Sequence, residues 1–177
     1  MGMMAAPLQD APISAGDILI WARVEQALAG ELQDWQGEPE GWLATLLLLD
    51  QLPRMIFRDT PNAFAGDSLA RTLALHGLSE GWDQQLRPIQ RLFAYLVLEH
   101  AEDLTLQNQA VQRFQVLLEQ VATSEHELFA GYLDYAERHQ RVIARFGRFP
   151  HRGRTALAPR RRSGGGCHVQ PYPLRLL

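Results

Sequence analysis

The stretch Leu43-Ala-Thr-Leu-Leu-Leu-Leu-Asp50-Gln51-Leu-Pro53-Arg54-Met-Ile-Phe-Arg58 decides the fold. It is the densest apolar run in the chain, and it breaks off in a carboxylate, an amide, a proline and two arginines. Leu43, Leu46 and Leu47 precede Asp50 by seven, four and three residues, so on a continuous helix the carboxylate falls on the apolar face. Pro53 has no amide proton and its ring clashes with the preceding turn, which predicts a kink or a short new turn running through Arg58. A charge on a buried face needs a partner. Arg54 stands one helical turn on, where a guanidinium can meet a carboxylate in a two-point ionic hydrogen bond. One reading is a buried structural pair that fixes how the helix turns into the next segment. The other is an anion or polar-ligand site using Gln51, Arg54 and Arg58.

Working outward, 177 residues with 46% hydrophobic side chains suit one domain with a core of ordinary size. Lysine is absent, so all 17 positive side chains are arginines, and the net charge is only -3. The single cysteine, Cys167, excludes an internal disulfide framework and a cysteine-rich zinc site, and it suits a reducing compartment. Residues 1–14 read as a disordered leader: they lack the positive charge and apolar core of a signal peptide, and Ala6 fails the myristoylation pattern. No apolar run approaches the roughly 18 residues of a membrane span. A soluble cytoplasmic protein with no membrane partner is expected.

Helical signals recur along the whole chain. Ser14 with Asp17 resembles a capping box for a helix over about 15–32, followed by Ile18, Trp21 and Leu28 at helical spacing. Glu38-Pro39-Glu40 opens a second helix carrying Trp42 to Leu52. Thr60-Pro61 introduces a third over Ala63 to His76, closed by Gly77, and Ser79 to Leu86 suits a short helical turn. Pro88 opens a fourth over Ile89 to Glu102. Val111, Phe114, Leu118 and Val121 mark a fifth, and Leu128, Tyr132, Tyr135, Val142 and Phe146 a sixth, before Gly147. No stretch sustains period-two alternation. The pattern implies an all-α array of antiparallel helix pairs over residues 15–152.

Polar residues intrude on these apolar faces. His100 follows Leu92, Phe93 and Leu96 in register and is flanked by Glu99 and Glu102, so its imidazole is expected to meet a carboxylate there. His139 lies on the apolar face of the sixth helix. Asp50, His100 and His139 on different helices suggest one internal polar cluster, with these three as the candidates for acid–base chemistry. His-x-Glu alone fixes no complete ligand set, so neither a metal nor a cofactor is expected. Past the sixth helix, Arg148, His151 and Arg152 gather beside a glycine and a proline, as a loop that can lay cations over the cluster. From Arg145 onward there are eight arginines and no acid. They form no helical stripe and show little aromatic interleaving, so a nucleic-acid partner is not expected.

These residues together resemble a known family. Leu48-Leu-Asp50-Gln51-Leu-Pro53-Arg54, continued by Phe57-Arg58-Asp-Thr60-Pro61-Asn-Ala63-Phe64-Ala65, is similar to the signature of the bacterial domain of unknown function 924 family. Glu99-His100-Ala-Glu102-Asp103-Leu104 and Phe146-Gly147-Arg148-Phe149-Pro150-His151-Arg152 resemble two later motifs of that family, and His139 falls where the family has a histidine. The resemblance implies a tetratricopeptide-like α-α superhelix and no particular reaction. It ends at Arg152. Residues 153–177, rich in arginine, glycine and proline, read either as a poorly ordered native tail or as a shifted reading frame.

Two classes of function follow. The first is a binding module whose stacked helix pairs accept a peptide, a protein segment or a small anionic ligand, with Arg54, Arg58, Arg148 and Arg152 as contact charges. The second is an enzyme using Asp50, His100 and His139 for acid–base or metal-assisted chemistry. A homodimer through apolar surface on the first and sixth helices is a further option.

Overall fold

In the computed structural model, which describes residues 15–150 and Arg152, every regular element is a helix. Helix α1 spans Ala15–Leu28, shorter than the expected span to 32, because Gly30 turns the chain at a φ of +75°. Ser14 and the leader lie outside the described residues, as do residues 153–177. Helix α2 spans Pro39–Leu46, with the proline in its first turn, where a missing N–H removes no helical bond, and Glu40 beside it facing the positive dipole end.

The run at 43–58 resolves its proline problem without leaving the helix. A π-type turn over Leu47–Gln51, in which the Leu52 amide reaches back to the Leu47 carbonyl, joins α2 directly to α3, Leu52–Ile56. The wider turn makes room for a ring that a regular α turn would reject. Gly66 then packs on the backbone of this turn, since a Cβ there would stand 2.2 Å from the Leu49 carbonyl oxygen.

A 3₁₀ turn at Pro61–Phe64 leads into α4, Asp67–Ser79. Gly77 does not close this helix as its residue type suggested. It is buried within the helix against the Trp42 indole, where a Cβ would approach ring carbon to 2.3 Å. Trp42 is fully buried and donates its indole N–H to the Leu73 carbonyl at 2.8 Å, which fixes the crossing of α2 on α4. After a 3₁₀ turn at Trp82–Gln85 come α5, Pro88–Glu99, α6, Leu104–Gln120, and α7, His126–Phe146. Asp103 caps α6 through the Thr105 and Leu106 amides, and Gly147, at a φ of +67°, ends α7. The links 100–103 and 121–125 are too short for a parallel return, so α5, α6 and α7 follow one another as antiparallel neighbours.

The core runs through the array from Val24 and Leu46 to Leu92, Leu98, Phe114 and Phe129. No helix among the described residues is long and apolar enough to cross a membrane.

Two glycines give opposite expectations in urea denaturation. Gly77→Ala should lose about 1–3 kcal/mol, because the indole it meets is locked by its own hydrogen bond. Gly131→Ala, in the exposed part of α7 with nothing within 4 Å of the new Cβ, should gain up to about 1 kcal/mol from helix propensity. Equal effects at the two positions would contradict this packing.

Candidate functional site

Asp50 ends the apolar run with only 1% of its surface exposed. Three groups hold it. Arg54 Nη1 lies 2.8 Å from Oδ1 and donates to the Asp50 carbonyl at 2.7 Å. Gln51 Nε2 donates to Oδ2 at 2.5 Å, and Nδ1 of His100, from the C-terminal end of α5, sits 2.9 Å from both carboxylate oxygens. The histidine thus finds a carboxylate as expected, but across the core on the π turn and not on its own helix. Burial pushes the Asp50 carboxyl up. The charges of His100 and Arg54, with hydrogen bonds from His100 and Gln51, outweigh that effect and hold it below its ordinary value of 3.8.

A second carboxylate, Asp67 at the start of α4, extends the network. Its Oδ1 lies 2.8 Å from Arg54 Nη2, close as an ion pair though not aligned as a hydrogen bond. Its Oδ2 accepts from Arg152 Nη1 at 2.7 Å. Arg152 also donates to the His100 carbonyl at 2.8 Å, so the segment after α7 is fastened to α4 and to the end of α5. Phe64 lies under both guanidiniums, with Arg54 5.6 Å and Arg152 4.5 Å from its ring centre. Asp67 was not legible as a site residue. An acid in a helix's first turn is the ordinary complement to the dipole, and nothing in its neighbours marks it further.

His139 belongs to a neighbouring pair. Its Nδ1 meets Oε1 of Glu99, a residue with 0% exposure, while Glu99 Oε2 is buried with no hydrogen-bond partner among the described residues. Gln107 donates to the Glu99 and Ala101 carbonyls and so takes up the free end of α5. Phe149 connects the two pairs. Its ring stands 5.2 Å from that of His139 and 5.2 Å from the Arg152 guanidinium, and its amide donates to Glu102 at 2.8 Å. The single polar cluster expected from Asp50, His100 and His139 is therefore two carboxylate–imidazole pairs, anchored on Glu99, the last residue of α5, and His100 directly after it.

Asp50, Asp67, His100 and Arg152 border a cavity of about 140 Å³, with Arg71 and Glu102 also on its wall. Arg71 is exposed and makes no ion pair with a described residue. Arg58 and Arg148 are exposed and border no part of it, and His151 lies outside the described residues.

Residues 18–161 match the family model described as a bacterial protein of unknown function, DUF924. The chain belongs to the DUF924 family. Among solved structures, a protein of unknown function from Agrobacterium tumefaciens is similar to this DUF924 chain at 37% identity and a TM-score of 0.68. The alignment covers 77% of this chain and 72% of that one. No curated protein matches.

The lowered Asp50 value sets a direction with pH. The unfolded chain binds a proton at this carboxyl more readily than the folded one, so the associated stability is complete above the unfolded value and lost as pH falls through the folded one. Asp50→Asn should cost about 3 kcal/mol at neutral pH by removing the buried carboxylate that Arg54 and His100 share, Arg54 keeping only Asp67, and should flatten the acid dependence. Urea titrations at about pH 7 and about pH 3 measure both. A variant as stable as its parent at neutral pH would contradict the arrangement.

Proposed function

We propose that this DUF924 protein is a binding module, tetratricopeptide-like in its stacked helix pairs, that takes a small carboxylate or oxyanion in the cavity between α4 and α5. The observation that carries this reading is Nε of Arg152, a buried donor without an acceptor among the described residues, on a side chain that borders the cavity. A buried N–H left unpaired is costly, and an anionic group is its natural complement. Arg71, exposed and without an ion-pair partner among the described residues, supplies a second contact at the rim. Arg54, a contact charge by its sequence position, is instead occupied by Asp50 and Asp67 and serves as scaffold. A volume of about 140 Å³ corresponds to only a few water molecules at about 30 Å³ each. That suits a free small acid or the carboxyl end of a chain, not a large cofactor.

An enzyme is the second reading, supported by His100 on the cavity wall with its Nδ1 held by Asp50. An imidazole oriented by a carboxylate is equipped to accept a proton. Against it, the described residues bordering the cavity include no serine, threonine, cysteine or lysine, and both aspartates are committed to ion pairs.

Isothermal titration with acetate, with phosphate and with a short peptide bearing a free carboxyl end, against its amide, tests the proposal and separates the two sources. Arg71→Ala should weaken capture by about tenfold or more, as expected for a hydrogen bond to a charged group, without lowering thermal stability. Absence of saturable binding to all three anions would overturn the binding reading. Hydrolysis of an ester of the captured acid, lost in His100→Asn, would favour the enzyme.

A further inference from the structure

A second concavity lies on the other side of α5, away from the carboxylate–imidazole pairs. It has a volume of about 390 Å³ and runs along α6, where Gln109, the adjacent Gln112 and Arg113, Val116 and Gln120 recur once per helical turn. This spacing places them in one stripe on the helix. Gln84 and Tyr95 form the facing wall.

The stripe is held at a fixed geometry by buried charge. Asp83, 1% exposed, accepts from the Tyr95 hydroxyl at 2.7 Å, from Gln84 at 2.8 Å and from Arg113 at 3.2 Å. The Arg113 guanidinium also lies over the Tyr95 ring at 5.6 Å. At one end, Arg91 donates to both Gln84 and Gln120, tying the two walls together. Gln109 and Gln112, by contrast, make no hydrogen bond to a described residue, and Val116 is left 46% exposed.

We propose that this groove binds an extended polypeptide segment that carries an acidic side chain. A carboxamide presents a donor and an acceptor in one plane, as does a peptide unit, so unengaged glutamines at successive turns can pair with a main chain whatever its sequence. The dimensions agree. From Gln109 to Gln120 the helix rises about 16 Å at about 1.5 Å per residue, the span of about five residues of extended chain at about 3.3 Å each. Arg113 pairs with the enclosed Asp83, and Arg91 stands at the end of the groove bonded only to neutral groups, so two guanidiniums face one carboxylate and the excess positive charge selects an acidic side chain on the segment. Val116 offers an apolar side chain of the segment a place to rest.

The test uses the full chain and fluorescein-labelled peptide pools of about seven residues, longer than the about five spanned at about 3.3 Å each, amidated at the carboxyl end so that no terminal carboxylate is offered to the α4–α5 cavity, with Arg71→Ala as the control for capture of the glutamate side chain there. One pool has a central glutamate, one a central glutamine and one a central lysine. Fluorescence anisotropy should show saturable binding in the order glutamate, glutamine, lysine. Gln109→Ala and Gln112→Ala, which break no internal contact, should each weaken the glutamate pool about fivefold. Arg113→Gln should erase the preference between glutamate and glutamine. Arg71→Ala should leave all three pools unchanged, which keeps this groove distinct from the anion cavity. No saturable change with any pool, or binding indifferent to Gln109→Ala and Gln112→Ala, would overturn the proposal.

Discussion

A carboxylate with 1% exposure cannot be left to itself, and much of the structure follows from how Asp50 is compensated. Its counter-charge comes from Arg54, one turn along the same helical run, and its second partner is the imidazole of His100, fifty positions later at the end of α5. The demand for two-sided compensation ties the apolar run to α5, and through Arg54 to Asp67 on α4. Removing one partner from such a set leaves charge in a medium that solvates it poorly.

The π turn is the backbone side of the same solution. Pro53 cannot sit in the interior of a regular α-helix, yet Asp50 and Arg54 must stay within one turn of each other. Widening Leu47–Gln51 accommodates the proline while keeping the helix continuous, and Gly66 allows the next segment to approach the altered backbone closely. Asp67 follows immediately, so the chain that covers the π turn also delivers the second carboxylate to Arg54. The segment after α7 closes the arrangement from the far end of the sequence, with Arg152 reaching Asp67 and His100 over the face of Phe64.

Around α5 the polar groups are divided between two sides. Glu99 and His100 lead to the carboxylate–imidazole pairs and the small cavity. Tyr95, nearer the start of the same helix, leads to Asp83 and the glutamine-lined groove, and burial together with the hydrogen bond to Asp83 pushes its hydroxyl ionisation well up, keeping it a donor. Beside each concavity stands a buried aspartate whose carboxylate is held by several partners, which fixes the side chains around it in place.

Local patterns in the sequence decided what local physics can decide. Apolar spacing and proline and glycine punctuation set the helices: Pro39, Pro88 and Gly147 lie where capping rules put them, and Asp50 falls on the buried face at the spacing its leucines dictate. By local pattern Gly77 is a helix terminator, since a helix-interior glycine has no local reason. Its reason is the Trp42 ring on another helix, which no local pattern contains. The pairing of charges was likewise undetermined. His100 had two glutamates in its own sequence neighbourhood and bonded neither, because a helix projects neighbouring residues in different directions and the partner is chosen by which elements pack together. Asp67 and the Gln109 to Gln120 stripe became visible only for the same reason. By itself the sequence determined an all-α chain with charge buried at Asp50; the tertiary structure alone decided which charges meet, since that depends on helix crossings many residues apart.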